Sequence, residues 1–140
     1  MTDSAKTPPL TTRHLRFGWG SLLVFVLFGG VLEAMHGFKV DWYLSFGSET
    51  QRLMWRLAHA HGTLLSLVHI AFAVTMARVS TEPRVASASL LGASVALPGG
   101  FLLGAFGGAG DDPGVGIALV PVGLVLLVIA ISGCLRSLRA

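Results

Sequence analysis

The sequence predicts an all-α fold, an integral membrane four-helix bundle with both termini in the cytoplasm. Its 140 residues are 53% hydrophobic and only 12% charged, with a mean hydropathy of +0.73. The charged residues are segregated and leave four long stretches almost free of charge. A helix needs about 20 mostly apolar residues to cross a bilayer. All four stretches are expected to be helices, because lipid offers backbone groups no other partners.

The chain starts with a polar segment, residues 1–16, that is predicted to be a cytoplasmic tail with His14 in water. Residues 17–140 are expected to form one transmembrane domain. The first apolar run is too long for the core of a signal peptide and lacks a small-x-small site after it, which predicts a retained span. The four spans are predicted at about residues 17–36, 53–77, 85–107 and 115–135.

The connection between the first two spans, GFKVDWYLSFGSET, alternates apolar and polar residues. This pattern predicts a segment that lies flat on the bilayer surface. The alternation fits a short strand and a short helix equally well, and both remain open.

The distribution of lysine and arginine predicts the orientation of the spans. One side carries seven of these residues: Lys6, Arg13, Arg16, Arg78, Arg84, Arg136 and Arg139. The other side carries three: Lys39, Arg52 and Arg56. The positive-inside rule makes the first side cytoplasmic, which predicts a protein of the cytoplasmic (inner) membrane with both termini inside. The net charge of +3 therefore belongs to span ends and indicates no nucleic-acid binding.

Small residues recur every fourth position along the third span. This stripe is typical of a surface where another helix approaches closely. Packing within the chain is the expectation, and the alternatives are a homo-oligomer or a larger membrane complex. The predicted packing residues are Gly92, Ala96, Gly100, Gly104 and Gly108.

Ionisable residues cluster at the outward ends of the first two spans. Glu33 and His36 are three apart and share one helix face. His59 enters the second span at a depth that matches Glu33 to within about one turn, at roughly 1.5 Å per residue. Because the two spans are antiparallel neighbours, these side chains are expected to converge. An ionisable group inside a membrane indicates a functional site.

The motif LAHAHG adds a second histidine, His61, two positions after His59. On a regular helix these two rings point about 200° apart. His61 is therefore expected to face the third and fourth spans and the loop that carries Asp111 and Asp112. Arg52 and Arg56 share the His59 face and are expected to surround the site.

Three interpretations of this outer cluster compete. Glu-x-x-His on one helix and a histidine on the next is the ligand pattern of metal sites in helix bundles, and such ligands suit zinc, iron, copper or manganese. Heme b with axial histidines is the second interpretation. The third is a buried network that only stabilises the bundle. The ligand candidates for a transition metal or heme are Glu33, His36, His59 and His61.

His69 lies ten residues beyond His59 and is predicted to be a separate polar group near the bilayer middle, with no histidine or acid at its depth. The expected partners are hydroxyl groups or a backbone carbonyl released by Pro98. Ser66, Thr75 and Ser94 are the hydroxyl candidates.

The segments LEAMHGFKVDWYL and RLMWRLAHAHGTLLSLVHIAF resemble those of small four-span integral membrane proteins of bacteria, a class without an assigned activity. AHAHGTLL is also similar to histidine motifs of heme- and copper-containing membrane oxidoreductases. The second resemblance implies metal or heme ligation by His59 and His61. It covers eight residues, and the third and fourth spans lack a matching histidine pattern.

The sequence therefore predicts a small membrane protein with an outward polar site that binds a metal ion or heme. A non-catalytic accessory subunit that packs through the glycine stripe is the alternative, and a proton or small-solute pathway through Glu33 and His69 is another. No nucleophile–base pair is recognisable, and GGFLLGAFGGAG lacks the strand and lysine of a phosphate loop. An enzyme is therefore not the expectation.

Overall fold

A computed structural model of the chain describes residues 9–45, 49–79, 83–107 and 112–139, and this part of the chain is helical without strands. The all-α prediction is confirmed. A 3₁₀ turn leads into the last helix. The elements are α1 (Pro9–Gly37), α2 (Asp41–Ser45), α3 (Glu49–Met76), α4 (Arg84–Gly104), the 3₁₀ turn (Val115–Ala118) and α5 (Leu119–Ser137).

Four helical segments are long and apolar enough to cross a membrane, with mean hydropathies between 1.5 and 2.8. They are Leu10–Gly37, Glu49–Met76, Arg84–Gly104 and Val115–Ser137. Their number and order match the sequence prediction. The segment between α1 and α3 is the short helix α2, which decides between the strand and the helix that the alternation allowed.

The first helix begins eight residues earlier than predicted. Residues 9–16 were expected to belong to a solvated tail, but they form the first two turns of α1. Thr11 and His14 are both buried there, on the face that continues the packed side of the span. The polar segment is helical because this face finds partners on α3 and α4, which its composition alone does not reveal.

The long helices pack in chain order, α1 on α3, α3 on α4 and α4 on α5. Their contacts are antiparallel: His14 meets His69, and His61 meets Phe101. One end of the molecule, called the terminal end, therefore holds the start of α1, the end of α3, the start of α4 and the end of α5. The opposite end, called the loop end, holds α2.

Glycines bring the α1 and α3 backbones close together. A Cβ on Gly18 would lie 2.8 Å from Ile70 Cγ1 and 3.0 Å from the Ser66 carbonyl oxygen. A Cβ on Gly29 would overlap the His59 ring, and one on Gly62 would overlap the Phe25 ring. The two helices can therefore bury their polar side chains between them.

The small-residue stripe of α4 faces α5 and the 3₁₀ turn. Cβ atoms added to the stripe glycines would meet Leu126 at Gly92, Val120 at Gly100 and Ile117 at Gly104. Ala96 approaches Gly123 of α5. The stripe is thus used within the chain as far as the structure describes it, and Gly108 lies outside the described residues.

Candidate functional site

The predicted outer cluster lines one pocket of about 390 Å³ at the loop end, between α1 and α3. The antiparallel hairpin brings together four of the predicted residues, because their positions match in depth on the two helices. The lining side chains and glycines are Gly29, Leu32, Glu33, His36, Gly37, Tyr43, Arg56 and His59.

His59 lines this pocket and is held in a fixed orientation by a hydrogen bond to α1. Its Nδ1 lies 2.7 Å from the carbonyl oxygen of Phe25 on α1. A carbonyl oxygen can only accept, so Nδ1 carries the proton and donates. In the neutral ring, Nε2 therefore keeps its lone pair, and the described residues supply no hydrogen bond to it. This is the tautomer that a metal-ligating histidine adopts.

The charged groups of the pocket do not form a ligand set. Glu33 and His36 are exposed, and no ion pair joins Glu33 to Arg56 in the described part of the chain. Across the described residues, no three His, Cys, Asp or Glu side chains are grouped to hold a metal ion. The predicted residues therefore share one pocket, as the topology predicted. The described side chains are not grouped closely enough for several of them to bind one ion.

The remaining predicted site residues lie apart from this pocket. His61 points to α4, where its ring packs 4.8 Å from that of Phe101 and its Nδ1 donates to the Leu57 carbonyl oxygen at 2.9 Å. Arg52 donates to the Leu44 carbonyl oxygen at 3.0 Å and so ties α3 to α2. Asp112 is exposed, and Asp111 lies outside the described residues.

A second polar group lies near the terminal end, and the sequence interpretation missed half of it. His14 and His69 are both fully buried, with 0% exposure, and their Nδ1 atoms are 2.6 Å apart. The rings are stacked, with centroids 4.8 Å apart. The expectations that His14 is solvated and that no histidine lies at the depth of His69 are both wrong. The cause is the early start of α1, which carries His14 alongside α3.

Two serines of α4 complete the hydrogen bonding of these rings. Nε2 of His14 lies 2.7 Å from Ser87 Oγ, and Nε2 of His69 lies 2.8 Å from Ser94 Oγ. Ser94 was one of the partners predicted for His69. Every ring nitrogen of the pair therefore has a partner, and the pair joins α1, α3 and α4 at one level.

The direction of each hydrogen bond follows from the last one in the series. The Ser94 hydroxyl donates to the Leu90 carbonyl oxygen at 2.9 Å, so Nε2 of His69 must donate to Ser94. With neutral rings, Nδ1 of His69 then accepts from Nδ1 of His14. Nε2 of His14 accepts from the Ser87 hydroxyl. The hydrogen-bond network thus fixes the direction of each bond. The series of hydrogen bonds runs in one direction, from the Ser87 hydroxyl to the Leu90 carbonyl oxygen.

The hydrogen-bonded chain crosses part of the thickness of the protein. Ser87 belongs to the first turn of α4 and Ser94 follows seven residues later, a rise of about 10 Å at 1.5 Å per residue. The chain thus leads from the terminal end of the helices towards their middle. On the same face of α1 as His14, the buried Thr11 Oγ1 has no hydrogen-bond partner within the described residues.

Further polar side chains continue along the α1–α3 interface towards the loop end. Ser66 Oγ lies 2.7 Å from both Ser21 Oγ and the Gly62 carbonyl oxygen. Thr63 Oγ1 lies 3.5 Å from Nδ1 of His59. The interface therefore carries hydroxyl and imidazole groups from the first turns of α1 to the pocket.

One sequence signal for this second site was available. On α1, positions 11, 14, 18, 21, 25 and 29 repeat every three or four residues, and this stripe runs from the polar segment into the apolar run without a break. Such periodicity indicates one packed helix face. It would have placed His14 on the same face as Gly18 and Ser21.

Comparisons of the chain with models of protein families, with curated proteins and with solved structures found no match.

Proposed function

We propose that this chain is a small integral membrane protein that transfers protons through the hydrogen-bond series from Ser87 to Ser94, in which the adjoining imidazoles of His14 and His69 bind the transferred proton. The observation that carries the proposal is the 2.6 Å contact between two fully buried imidazoles whose outer nitrogens are both hydrogen-bonded. It extends the proton pathway that the sequence suggested through His69.

The choice of residue type separates this function from a purely structural role. Interhelical hydrogen bonds in membrane proteins contribute only about 0.6 kcal/mol on average. Serine pairs such as Ser21–Ser66 already supply such links here without a titratable group. Ionisable side chains in membrane spans are costly and mark ion or proton pathways. Hydroxyl groups alone could link three helices by hydrogen bonds, so this role does not require two adjoining titratable imidazoles.

The pair accepts a proton with one small rearrangement. A proton that binds Nε2 of His14 requires only that the Ser87 hydroxyl turn from donor to acceptor. The Nδ1–H of His14 can then pass to Nδ1 of His69, which leaves His14 neutral and His69 charged. No heavy atom has to move far, because the two nitrogens are already in hydrogen-bond contact.

Release from His69 requires a further step at Ser94. The Nε2–H of His69 points at Ser94 Oγ, whose own proton points at the Leu90 carbonyl oxygen. The Ser94 hydroxyl must therefore turn away from Leu90 and direct its own proton at a water molecule, which accepts that proton as Oγ takes the Nε2 proton of His69. We expect this rotation, and not the transfer between the rings, to limit the rate of proton transfer.

The experiment is proton uptake into liposomes that contain the full-length protein and a trapped pH-sensitive dye, driven by a potassium diffusion potential. The test variant is the double replacement His14→Leu and His69→Leu, which removes both polar partners at similar volume. The control is His61→Leu. His61 contacts Phe101 and the Leu57 carbonyl and takes no part in the hydrogen bonds that join Ser87, His14, His69 and Ser94.

We expect the double variant to lose at least about 90% of the protein-dependent flux and the control to keep it within about twofold. Circular dichroism and size-exclusion chromatography of each variant verify that it is folded. Flux at the level of protein-free liposomes for the natural chain, or equal flux in the folded double variant, refutes the proposal.

A second candidate function, ligand binding in the loop-end pocket, is favoured by the orientation of His59. We propose that this pocket takes heme b, whose iron Nε2 of His59 would bind, because heme needs only one protein imidazole whereas an ion held by several donors does not fit the geometry of the described residues. The exposed Glu33 and Arg56 offer opposite charges at the rim of the pocket.

This candidate is tested by the visible absorption spectrum and elemental analysis of purified protein. A Soret band that disappears in His59→Leu and persists in His61→Leu supports it. A natural chain with neither a heme band nor a stoichiometric metal ion contradicts the metal and heme interpretation.

A further inference from the structure

An arginine-bearing groove runs between α4 and α5 at the terminal end. It has a volume of about 620 Å³. Arg84, the first residue of α4, and Arg136, in the last turn of α5, line it together. The other lining residues are Pro83, Val85, Ala86, Val128, Ile129, Ser132 and Gly133.

The groove combines two chemistries in a definite order along the helices. Both arginines are exposed and lie at its end, and neither forms an ion pair with a described residue. Val128 and Ile129 come two turns before Arg136 on α5, and they are 55% and 41% exposed. The groove thus presents positive charge at the helix ends and an open apolar wall one to two turns further into the span.

A close helix contact forms the floor of the groove. A Cβ on Gly133 would lie 2.7 Å from the Ala86 Cβ, so α4 and α5 have no room between them for another side chain here. A ligand must therefore lie along the groove and not between the helices. An elongated molecule with an anionic head and an apolar tail has this shape and this distribution of polarity.

We propose that this groove binds one anionic phospholipid, with the phosphate between Arg84 and Arg136 and an acyl chain along Val128 and Ile129. Basic pockets between membrane helices recognise lipid headgroups by this combination of charge and apolar wall. Guanidinium groups suit the phosphate because their planar forks form paired hydrogen bonds to its oxygens. The inference is independent of the proton function, since no residue of the His14–His69 chain lines the groove.

The test is lipid binding by the full-length protein in nanodiscs or detergent, measured by native mass spectrometry with phosphatidylglycerol and phosphatidylcholine as probes. The variant is Arg84→Gln with Arg136→Gln. The control is Arg78→Gln with Arg139→Gln, which removes the same charge from the same end at exposed positions outside the groove.

We expect the natural chain to retain phosphatidylglycerol in preference to phosphatidylcholine. We expect the groove variant to bind phosphatidylglycerol about 25-fold more weakly, with about fivefold for each arginine, and the control to stay within about threefold. Equal losses in variant and control overturn the proposal, because they indicate general surface charge. Displacement of the lipid by millimolar inorganic phosphate also overturns it, because the acyl chain would then contribute nothing.

Discussion

The His14–His69 contact should appear as a strong energetic coupling between two residues 55 positions apart. Replacing His69 with leucine keeps a similar volume but leaves the buried Nδ1–H of His14 without an acceptor. A buried polar group left unpaired costs about 1–3 kcal/mol, whereas replacing both partners with apolar groups of the same shape can be nearly neutral.

The structure sets the size of the effect in each variant. In His14→Leu, the Nδ1 of His69 loses its partner, and the Ser87 hydroxyl can turn to the carbonyl one turn before it, as helical serines do. We expect each single replacement to lower the free energy of unfolding by about 1 kcal/mol, the low end of the cost of an unpaired buried group. The double replacement should lower it by only about 0.5 kcal/mol, because neither unpaired ring remains. The coupling energy is then about 1.5 kcal/mol, above the average of about 0.6 kcal/mol for interhelical hydrogen bonds in membrane proteins.

The assay is reversible unfolding in mixed micelles, or steric trapping in bicelles, applied to both single variants and the double variant. The control cycle combines His69→Leu with His59→Leu, whose positions are ten residues and about 15 Å apart along α3. Sites that share no partner add to within about 0.5 kcal/mol. If the effects of the His14 and His69 replacements on the free energy of unfolding also add to within about 0.5 kcal/mol, the hydrogen-bonded pair is refuted.

Three further predictions concern packing. Gly29→Val should lower the free energy of unfolding by about 1–3 kcal/mol, since its Cβ overlaps the His59 ring, while Gly30→Val, which faces open space, should have little effect. Gly123→Val should be similarly destabilising, because Leu97 Cγ lies 2.7 Å from the Cβ position, whereas Gly99→Val is the harmless counterpart. Thr11→Val should raise the free energy of unfolding by about 1 kcal/mol, because it removes a buried hydroxyl without a partner among the described residues. Mixed-micelle unfolding measures all three, and a destabilised Thr11→Val would show that this hydroxyl has a partner.

The arrangement at the loop end followed from the sequence because it depends on helix geometry and topology. Two consecutive antiparallel helices put Glu33, His36 and His59 at one level, and the separation of about 200° on a helix directed His61 towards α4. The distances between the side chains did not follow, since they depend on rotamers and on Gly29, which admits the His59 ring. The pocket was therefore predictable, whereas the finding that its described residues do not group around one metal ion was not.

The site at the terminal end was harder to predict, because the composition of residues 9–16 indicated a solvated tail and not a packed helix. The segment around His14 is polar, which predicts a solvated chain, and its Arg13 and Arg16 are exposed, yet His14 lies on a buried face where it meets Ser87 and His69. Partners that lie 55 and 73 positions away cannot be found from local sequence. Only the stripe that connects Thr11 to Gly29 indicates that the packed face starts before the apolar run.

The polar face of α3 has a consequence for biosynthesis. α3 has the lowest mean hydropathy of the four candidate spans, 1.5 against 2.8 for the last one, and its Ser66, His59 and His69 need partners on α1. When α3 leaves the ribosome, α1 is already available, but Ser94 of α4 is still to be synthesised. We therefore expect α3 to enter the bilayer as a hairpin with α1 and to be retained less well in a chain whose α1 is replaced by polyleucine. The His14–His69 pair would then be formed in two stages, first the imidazole contact and later the hydrogen bonds to its two serines.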